Sequence, residues 1–324
     1  MPSQTTLNLR KLGTTDIEIS PIGLGMMEFG GGGGLLGAAF PEITQQVKNE
    51  TVQAALEGGI NWFDTAELYG LGVSERSLAA ALKAAGKRDD EVVVATKWWP
   101  FPRTARSIPR TIHHRLRWLD GYSIGLYMVH QPFSFSSPEA EMEAMAELVE
   151  AGKIRSVGVS NYNPQRMRRA HQQLERRGLL LAANQVLFSL LDRAIERDGT
   201  LETAKELGVT IIAYTPLASG LLSGKYHKRP ELLQKKPFYW RARIQRRLEP
   251  TRPLVEALEE IGAKYEATPA QVALNWVIHF HGEIVVTIPG ATNPRQAAES
   301  AGAMGFRLAP DELAHLDELS RLIK

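Results

Sequence analysis

Cysteine is absent from all 324 positions, which excludes disulfides, thiolate metal ligands and a cysteine nucleophile together. No apolar run approaches the roughly 18 residues a membrane span requires, and the opening MPSQTTLNLRKLG has no apolar signal core. A cytoplasmic protein without a membrane partner is expected. Charge of one sign is also in short supply: 38 basic against 36 acidic side chains leave a formal +2. The arginine-rich pieces RMRRA (166–170) and RARIQRR (241–247) carry none of the interleaved aromatics of a base-stacking platform. They read as solvated faces or anion contacts, with no nucleic-acid partner. What is present, 44% hydrophobic and 23% charged residues, is the composition of a globular chain that buries a large core.

The opening segment LNLRKLGTTDIEIS reads as a β-hairpin turning at GTTD. From Ile22 onward short apolar runs alternate with amphipathic helical stretches. The runs are 22–26, 60–64, 92–96, 124–130, 154–160, 181–186, 209–215 and 283–289. Between them lie helical patterns at 44–59, 137–153 and 200–209, the first stopped by Gly58 and Gly59 and the second started by Ser-Pro. Eight β-then-α units predict one (β/α)₈ TIM barrel over residues 1–324, with the N-terminal hairpin and an extra C-terminal helix in PDELAHLDELSRLIK. A doubly wound sheet would want GxGxxG after its first strand, and that fingerprint is missing. The GGGGG run at 30–34 reads as a flexible loop over the barrel mouth, and 218–252 as a second long irregular piece.

In a barrel, reactive groups belong at the C-terminal ends of strands. The second run ends in Asp64 with Tyr69 in its loop, the third leads into Lys97, and the fourth ends in His130. A carboxylate, a phenol, an ammonium and an imidazole thus converge. The set suits carbonyl reduction, in which hydride arriving at carbon leaves negative charge on oxygen that must be met by a proton. Tyr69 supplies the proton, and Lys97 is expected to lower the phenol pKa toward working pH. Asp64 holds and neutralises Lys97, while His130 orients the carbonyl oxygen.

At this point the chain resembles an aldo-keto reductase, through GLGMM (23–27), FDTAELYG (63–70), ATK (95–97), VH (129–130), GKIRSVGVSN (152–161), NQV (184–186), YTPLASGLLSGK (214–225) and TIPGATNPRQAAE (287–299), in that order along nearly the whole chain. The resemblance implies Asp64, Tyr69, Lys97 and His130 as the catalytic tetrad and an extended nicotinamide dinucleotide held without a Rossmann domain. It implies Gly25 and Met26 beside the cofactor, Ser160, Asn161 and Gln185 on the carboxamide, and Tyr214 stacked on the ring. Thr215, Pro216, Leu217, Gly220, Leu221 and Lys225 would fold over the pyrophosphate, with Arg243 reaching the same anion. Pro289, Gly290, Ala291, Thr292, Arg295, Gln296, Glu299 and Ser300 would hold the adenosine end. Many relatives carry a Lys or Arg where this chain has Thr292 and Asn293, so Arg295 is the substitute for reading a 2′-phosphate. NADPH is the expected cofactor, with NADH possible.

Around the tetrad, Met26, Met27, Phe29, Trp98, Trp99 and Phe101 are predicted to sit on loops facing the mouth and to form an apolar, aromatic substrate pocket. Aromatic or apolar aldehydes are therefore the expected substrates. The competing reading is a cofactor-binding redox sensor or accessory subunit with little turnover. A metal-dependent barrel hydrolase built on His279 and His281 is weaker, because an HxH pair closing a helical run splays its rings apart. Physiological substrate, reaction direction and oligomeric state are not written in the sequence.

Overall fold

A computed structural model describes residues 9–31, 42–235 and 238–323, apart from the side chains of residues 235, 238–240 and 243. Residues 32–34 of the glycine run and the side chain of Arg243 therefore lie outside the described residues. A hairpin pairs β1 (Arg10–Lys11) with β2 (Glu18–Ile19). Strands β3 (Leu24–Gly25), β4 (Trp62–Asp64), β5 (Val93–Trp98), β6 (Ile124–Val129), β7 (Ser156–Ser160), β8 (Leu181–Leu187), β9 (Thr210–Tyr214) and β10 (Val285–Thr287) follow in parallel, each beside its sequence neighbour. Parallel bridges Ile22–Thr287 and Gly25–Gly290 join the last strand to the first and close the barrel.

The outer layer contains α1 (Gln45–Glu57), α2 (Val73–Ala84), α3 (Ser107–Leu119), α4 (Pro138–Glu150), α5 (Pro164–Glu175), α6 (Thr200–Leu207), α7 (Phe238–Lys264), α8 (Pro269–His279), α9 (Pro294–Gly302) and α10 (Pro310–Arg321). Local sequence starts these helices. Thr44, Ser137, Asn163, Thr268 and Asn293 each accept a hydrogen bond from the backbone three residues on, and in all but the first a proline follows at once. The segment 218–252 is not the irregular piece expected. It forms short 3₁₀ turns at Ala218–Ser223 and Pro230–Lys235, one α-turn at Lys225–Lys228, and then α7, which carries Pro250 and Pro253 inside it. The two prolines argued against a helix, yet buried Leu254, Leu258 and Ile261 supply the apolar stripe that holds it to the barrel. Arginines of the RMRRA piece pair with surface acids, Arg168 with Glu206 and Arg169 with Glu139.

Side chains alternate between two layers with the period of two that a strand imposes. Trp62, Val93, Ala95, Leu126, Met128, Ala183, Ile212 and Val286 fill the barrel interior. Phe63, Val94, Trp98, Val129, Val159 and Val186 face the helices. Leu12, Ile17 and Ile19 of the hairpin join the interior cluster from below, all 2% exposed or less. Arg10 seals the same end by donating to Val285 O and Ile278 O, at 2.6 Å each. The interior is thereby closed at the strand starts and ends in polar side chains at the opposite mouth.

Candidate active site

The alternation that packs the interior also chooses the polar layer at its top. Two residues on from inward Trp62 stands Asp64, two on from Ala95 stands Lys97, and two on from Met128 stands His130. Lys97 Nζ donates to Asp64 Oδ1 at 2.5 Å and to Thr65 O at 3.0 Å, and lies 3.4 Å from the Tyr69 hydroxyl. Asp64 Oδ2 accepts from Gln185 Nε2 at 2.8 Å. The ring of His130 meets that of Tyr69 edge-on at 5.7 Å and that of Trp99 edge-on at 5.5 Å. All four expected tetrad residues are therefore brought together.

Electrostatics differ from expectation at one member. Burial raises the Tyr69 phenol above its ordinary value and outweighs the opposing pull of Lys97. The phenol is thus held protonated, and the expected lowering toward neutrality is corrected. Burial works against the Lys97 ammonium too, but Asp64 and Tyr69 overcome it and hold the group charged. Burial, with a smaller contribution from Lys97, pushes His130 well below the ordinary histidine range, so its ring is neutral, with Nδ1 buried and without a hydrogen-bond partner.

Tyr69 is placed by its loop. Its amide donates to Ala66 O at 3.0 Å and its carbonyl accepts from Ser74 N at 3.1 Å. Gly30, from the loop after β3, lies so close that a Cβ there would stand 2.5 Å from the Tyr69 carbonyl carbon. Only glycine permits that approach.

The residues expected at the carboxamide cluster beside this group. Ser160 Oγ donates to Gln185 O at 2.9 Å, Asn161 Nδ2 to Ser160 Oγ at 3.1 Å, and the Tyr214 hydroxyl to Asn161 Oδ1 at 3.1 Å. Asn161 adopts a left-handed backbone, φ +58°, a conformation asparagine takes more readily than most residues. Beyond Tyr214 the chain takes positive φ at Thr215, Ala218, Ser219 and Gly220, an accumulation of strained geometry of the kind kept at ligand-binding loops. Pro216 and Leu221 are buried beneath that loop, Leu217 is partly buried, and Lys225 Nζ packs against the α-carbon of Gly220. At the last segment Gly25 N donates to Pro289 O at 3.0 Å, Gly290 is exposed and Ala291 is buried. Gln296 Oε1 accepts from both Thr292 N and its hydroxyl, at 2.9 and 3.0 Å. Arg295 is exposed in the first turn of α9, Glu299 is partly buried and Ser300 is buried.

Three residues expected at the mouth lie elsewhere. Trp98 is the last residue of β5, fully buried, and its indole donates to Ser107 Oγ of α3 at 3.0 Å. With Lys97 inward, the pleat sends Trp98 outward. Phe29 and Met26 are also fully buried in the layer beneath the helices. Met27, Trp99 and Phe101 do reach the surface of the mouth side, and two aromatics that sequence reading missed stand with them. Phe133 meets Trp99 edge-on at 5.8 Å and Phe135 meets Phe101 at 5.7 Å. Their signal was the alternating QPFSFSS directly after His130. Glu67, Arg103, Arg115 and Gln131 were missed as well. Glu67 binds both arginines, and Gln131 accepts from Asn161 Nδ2 at 3.2 Å. As for the HxH pair, His279 Nδ1 lies 3.0 Å from Asn275 O and His281 Nε2 lies 2.7 Å from Glu196. Among the described residues no group of three potential ligands surrounds either.

Comparison with known proteins gives one consistent answer. The model of the Aldo/keto reductase family matches residues 21–321. The chain is 35% identical over 315 residues to the chloroplastic pyridoxal reductase of Arabidopsis thaliana, covering 93% of this chain and 83% of that one. It is 33% identical to aldo-keto reductase str7 of Strobilurus tenacellus, over 97% of this chain and 92% of that one. Among solved structures, the thermostable aldo-keto reductase Tm1743 with the inhibitor epalrestat superposes with a TM-score of 0.77 at 29% identity, covering 96% of this chain and 99% of that one. An aldo-keto reductase from Klebsiella pneumoniae in complex with NADPH gives 0.73 at 26% identity, over 96% and 94% of the two chains.

Proposed function

The chain belongs to the aldo/keto reductase family, and from that premise we propose that it reduces aldehydes and ketones to alcohols with NADPH, using Tyr69 as proton donor. One observation carries the reading: a phenol held protonated by burial stands 3.4 Å from a charged lysine, beside a neutral imidazole, at the C-terminal ends of the barrel strands. NADPH, when bound, supplies the hydride. Ser160, Asn161 and Gln185 offer the donors and acceptors a carboxamide needs, Tyr214 a ring to stack on it, and the strained loop from Thr215 to Gly220 a close backbone approach for phosphates. The fit is good, and Arg295 is the cation available for a 2′-phosphate.

Tyr69 gives its proton to the carbonyl oxygen as negative charge grows there, and the phenolate left behind is met by Lys97. Asp64 keeps Lys97 charged and in place. The neutral His130 ring orients the carbonyl oxygen by donating a hydrogen bond. Trp99, Phe101, Phe133 and Phe135 make the rim aromatic, which favours flat or apolar carbonyl compounds. Pyridoxal, named for one relative, is itself an aromatic aldehyde and belongs in the panel of trial substrates.

The test is loss of NADPH absorbance with benzaldehyde, pyridoxal and butanal, in the wild-type protein and Tyr69→Phe. Turnover that falls by roughly 10²-fold or more in the variant, with NADPH still bound, is the expected outcome. Tight NADPH binding without any turnover in the wild type would transfer the chain to the sensor class.

A further inference from the structure

Behind Tyr69 runs a chain of alternating charges. Glu67 lies two residues before Tyr69 in the same loop, is 5% exposed, and donates its amide to Lys97 O at 3.3 Å. Its Oε2 accepts from Arg115, a buried residue of α3 whose Nε lies 3.1 Å from Glu75 Oε2. Its Oε1 accepts from Arg103 Nη1 at 2.5 Å. The two arginines are not equivalent. Arg115 is fixed in a helix under the ring of Trp118, whereas Arg103 rides on the loop that bears Trp99 and Phe101 and keeps 36% of its side chain in solvent.

The backbone of Arg103 serves another loop. Arg103 O accepts from Phe135 N at 2.9 Å, and the ring of Phe135 rests on Phe101. One residue beyond Phe135, the same loop is fixed again where Ser136 Oγ accepts from Ala105 N at 2.9 Å. Arg103 is therefore a joint at which the proton-donor loop (65–72), the loop after β5 and the aromatic loop after β6 meet. Burial raises the Glu75 carboxyl to about 7, so Glu67 is the main anion here; without the Arg103 guanidinium it would keep Arg115, shared with Glu75, and lose the contact that ties it to the loop after β5.

We propose that Arg103 is a positioning residue that sets substrate range: through Glu67 it fixes the aromatic rim at a set distance from the Tyr69 hydroxyl. A wide aromatic carbonyl pushes against Phe101 and Phe135 and needs that distance held; a small aldehyde reaches Tyr69 without touching the rim. The inference rests on Tyr69 being the proton donor. It requires no contact between Arg103 and substrate.

The experiment joins kinetics to hydrogen exchange on Arg103→Met, Arg103→Lys, Glu67→Gln and the Arg103→Met/Glu67→Gln pair. For a bicyclic aromatic aldehyde kcat is expected to fall roughly 10-fold in Arg103→Met, since small misplacement of a reacting group is costly. For propanal it falls far less, and KM for NADPH is unchanged. Arg103→Lys restores part of the loss, and the double variant is no worse than Glu67→Gln alone. Amide exchange rises in both 65–72 and 131–137 of Arg103→Met, a readout independent of turnover. Equal losses on both aldehydes, additive effects, or exchange that rises only around residue 103 overturn the proposal. If the wild-type protein turns nothing over, the reductase reading falls, while the exchange data still decide whether Arg103 joins the loops.

Discussion

Gln185 and Asp64 stand 121 positions apart in the chain, yet the amide of one donates to the carboxylate of the other at 2.8 Å across the barrel mouth. Asp64 is thus held from two sides, by the Lys97 ammonium on Oδ1 and by Gln185 on Oδ2. Gln185→Ala leaves a buried carboxylate oxygen unpaired and is expected to cost about 1–3 kcal/mol in urea denaturation. Gln185→Glu is worse, and its effect depends on pH. The new carboxyl beside Asp64 has its folded pKa raised, so stability present at low pH is lost as pH rises through that value. A Tm deficit for Gln185→Glu no larger at pH 8 than at pH 5 would show that the two groups do not meet.

The Lys97–Asp64 pair is fully buried, so halving it should harm more than removing it. Lys97→Met and Asp64→Asn are each expected to destabilise by about 3–5 kcal/mol, because each strands a charge. The double variant should recover part of that loss while remaining without turnover. Additive destabilisation in a denaturation cycle contradicts the pairing.

Adjacent tryptophans should behave oppositely. Trp98→Ala empties a site in the fully buried layer against α3 and is expected to cost about 3–5 kcal/mol of stability. Trp99→Ala leaves stability nearly intact and changes the ratio of kcat/KM between aromatic and aliphatic aldehydes. A specificity change with Trp98→Ala at unchanged stability would restore that residue to the pocket.

What the sequence made legible here follows from period and spacing. The positions of Asp64, Lys97 and His130 were readable because a strand end is a sharp event in one dimension. The outward orientation of Trp98 is legible as well, since a pleat that turns Lys97 inward turns its neighbour outward. By contrast, Glu67 and Arg103 owe their meaning to a helix and two loops folding onto one spot, which no local pattern encodes. The raised pKa of Tyr69 is hidden for a related reason: the nearby charge is visible in sequence order, but the depth of burial that overrides it is not.

Two opposed pKa shifts predict the pH profile of reduction. His130 is pushed well below about 6.5 and Tyr69 is pushed above about 10, so neither changes protonation state between about pH 7 and pH 9. The rate kcat at saturating NADPH should be flat over that interval, with no step near the ordinary histidine value. A step there that disappears in His130→Gln would mean the ring titrates in the exposed range.

Arg295 sits exposed in the first turn of α9, where backbone amides add to its attraction for an anion. Arg295→Gln is expected to weaken NADPH roughly 10-fold, as removal of a charge-assisted bond does, and to leave NADH unaffected. Titration by fluorescence quenching checks both. Equal changes for the two cofactors would assign discrimination to another residue.

Among the described residues, the hairpin at the strand starts leaves this barrel one accessible end. Leu12, Ile17 and Ile19 are 2% exposed or less, and Arg10 bolts the same end to β10, so whatever enters by the mouth must leave by it. A polar site on this barrel is therefore confined to the rim, because the interior below it is packed with side chains down to the hairpin.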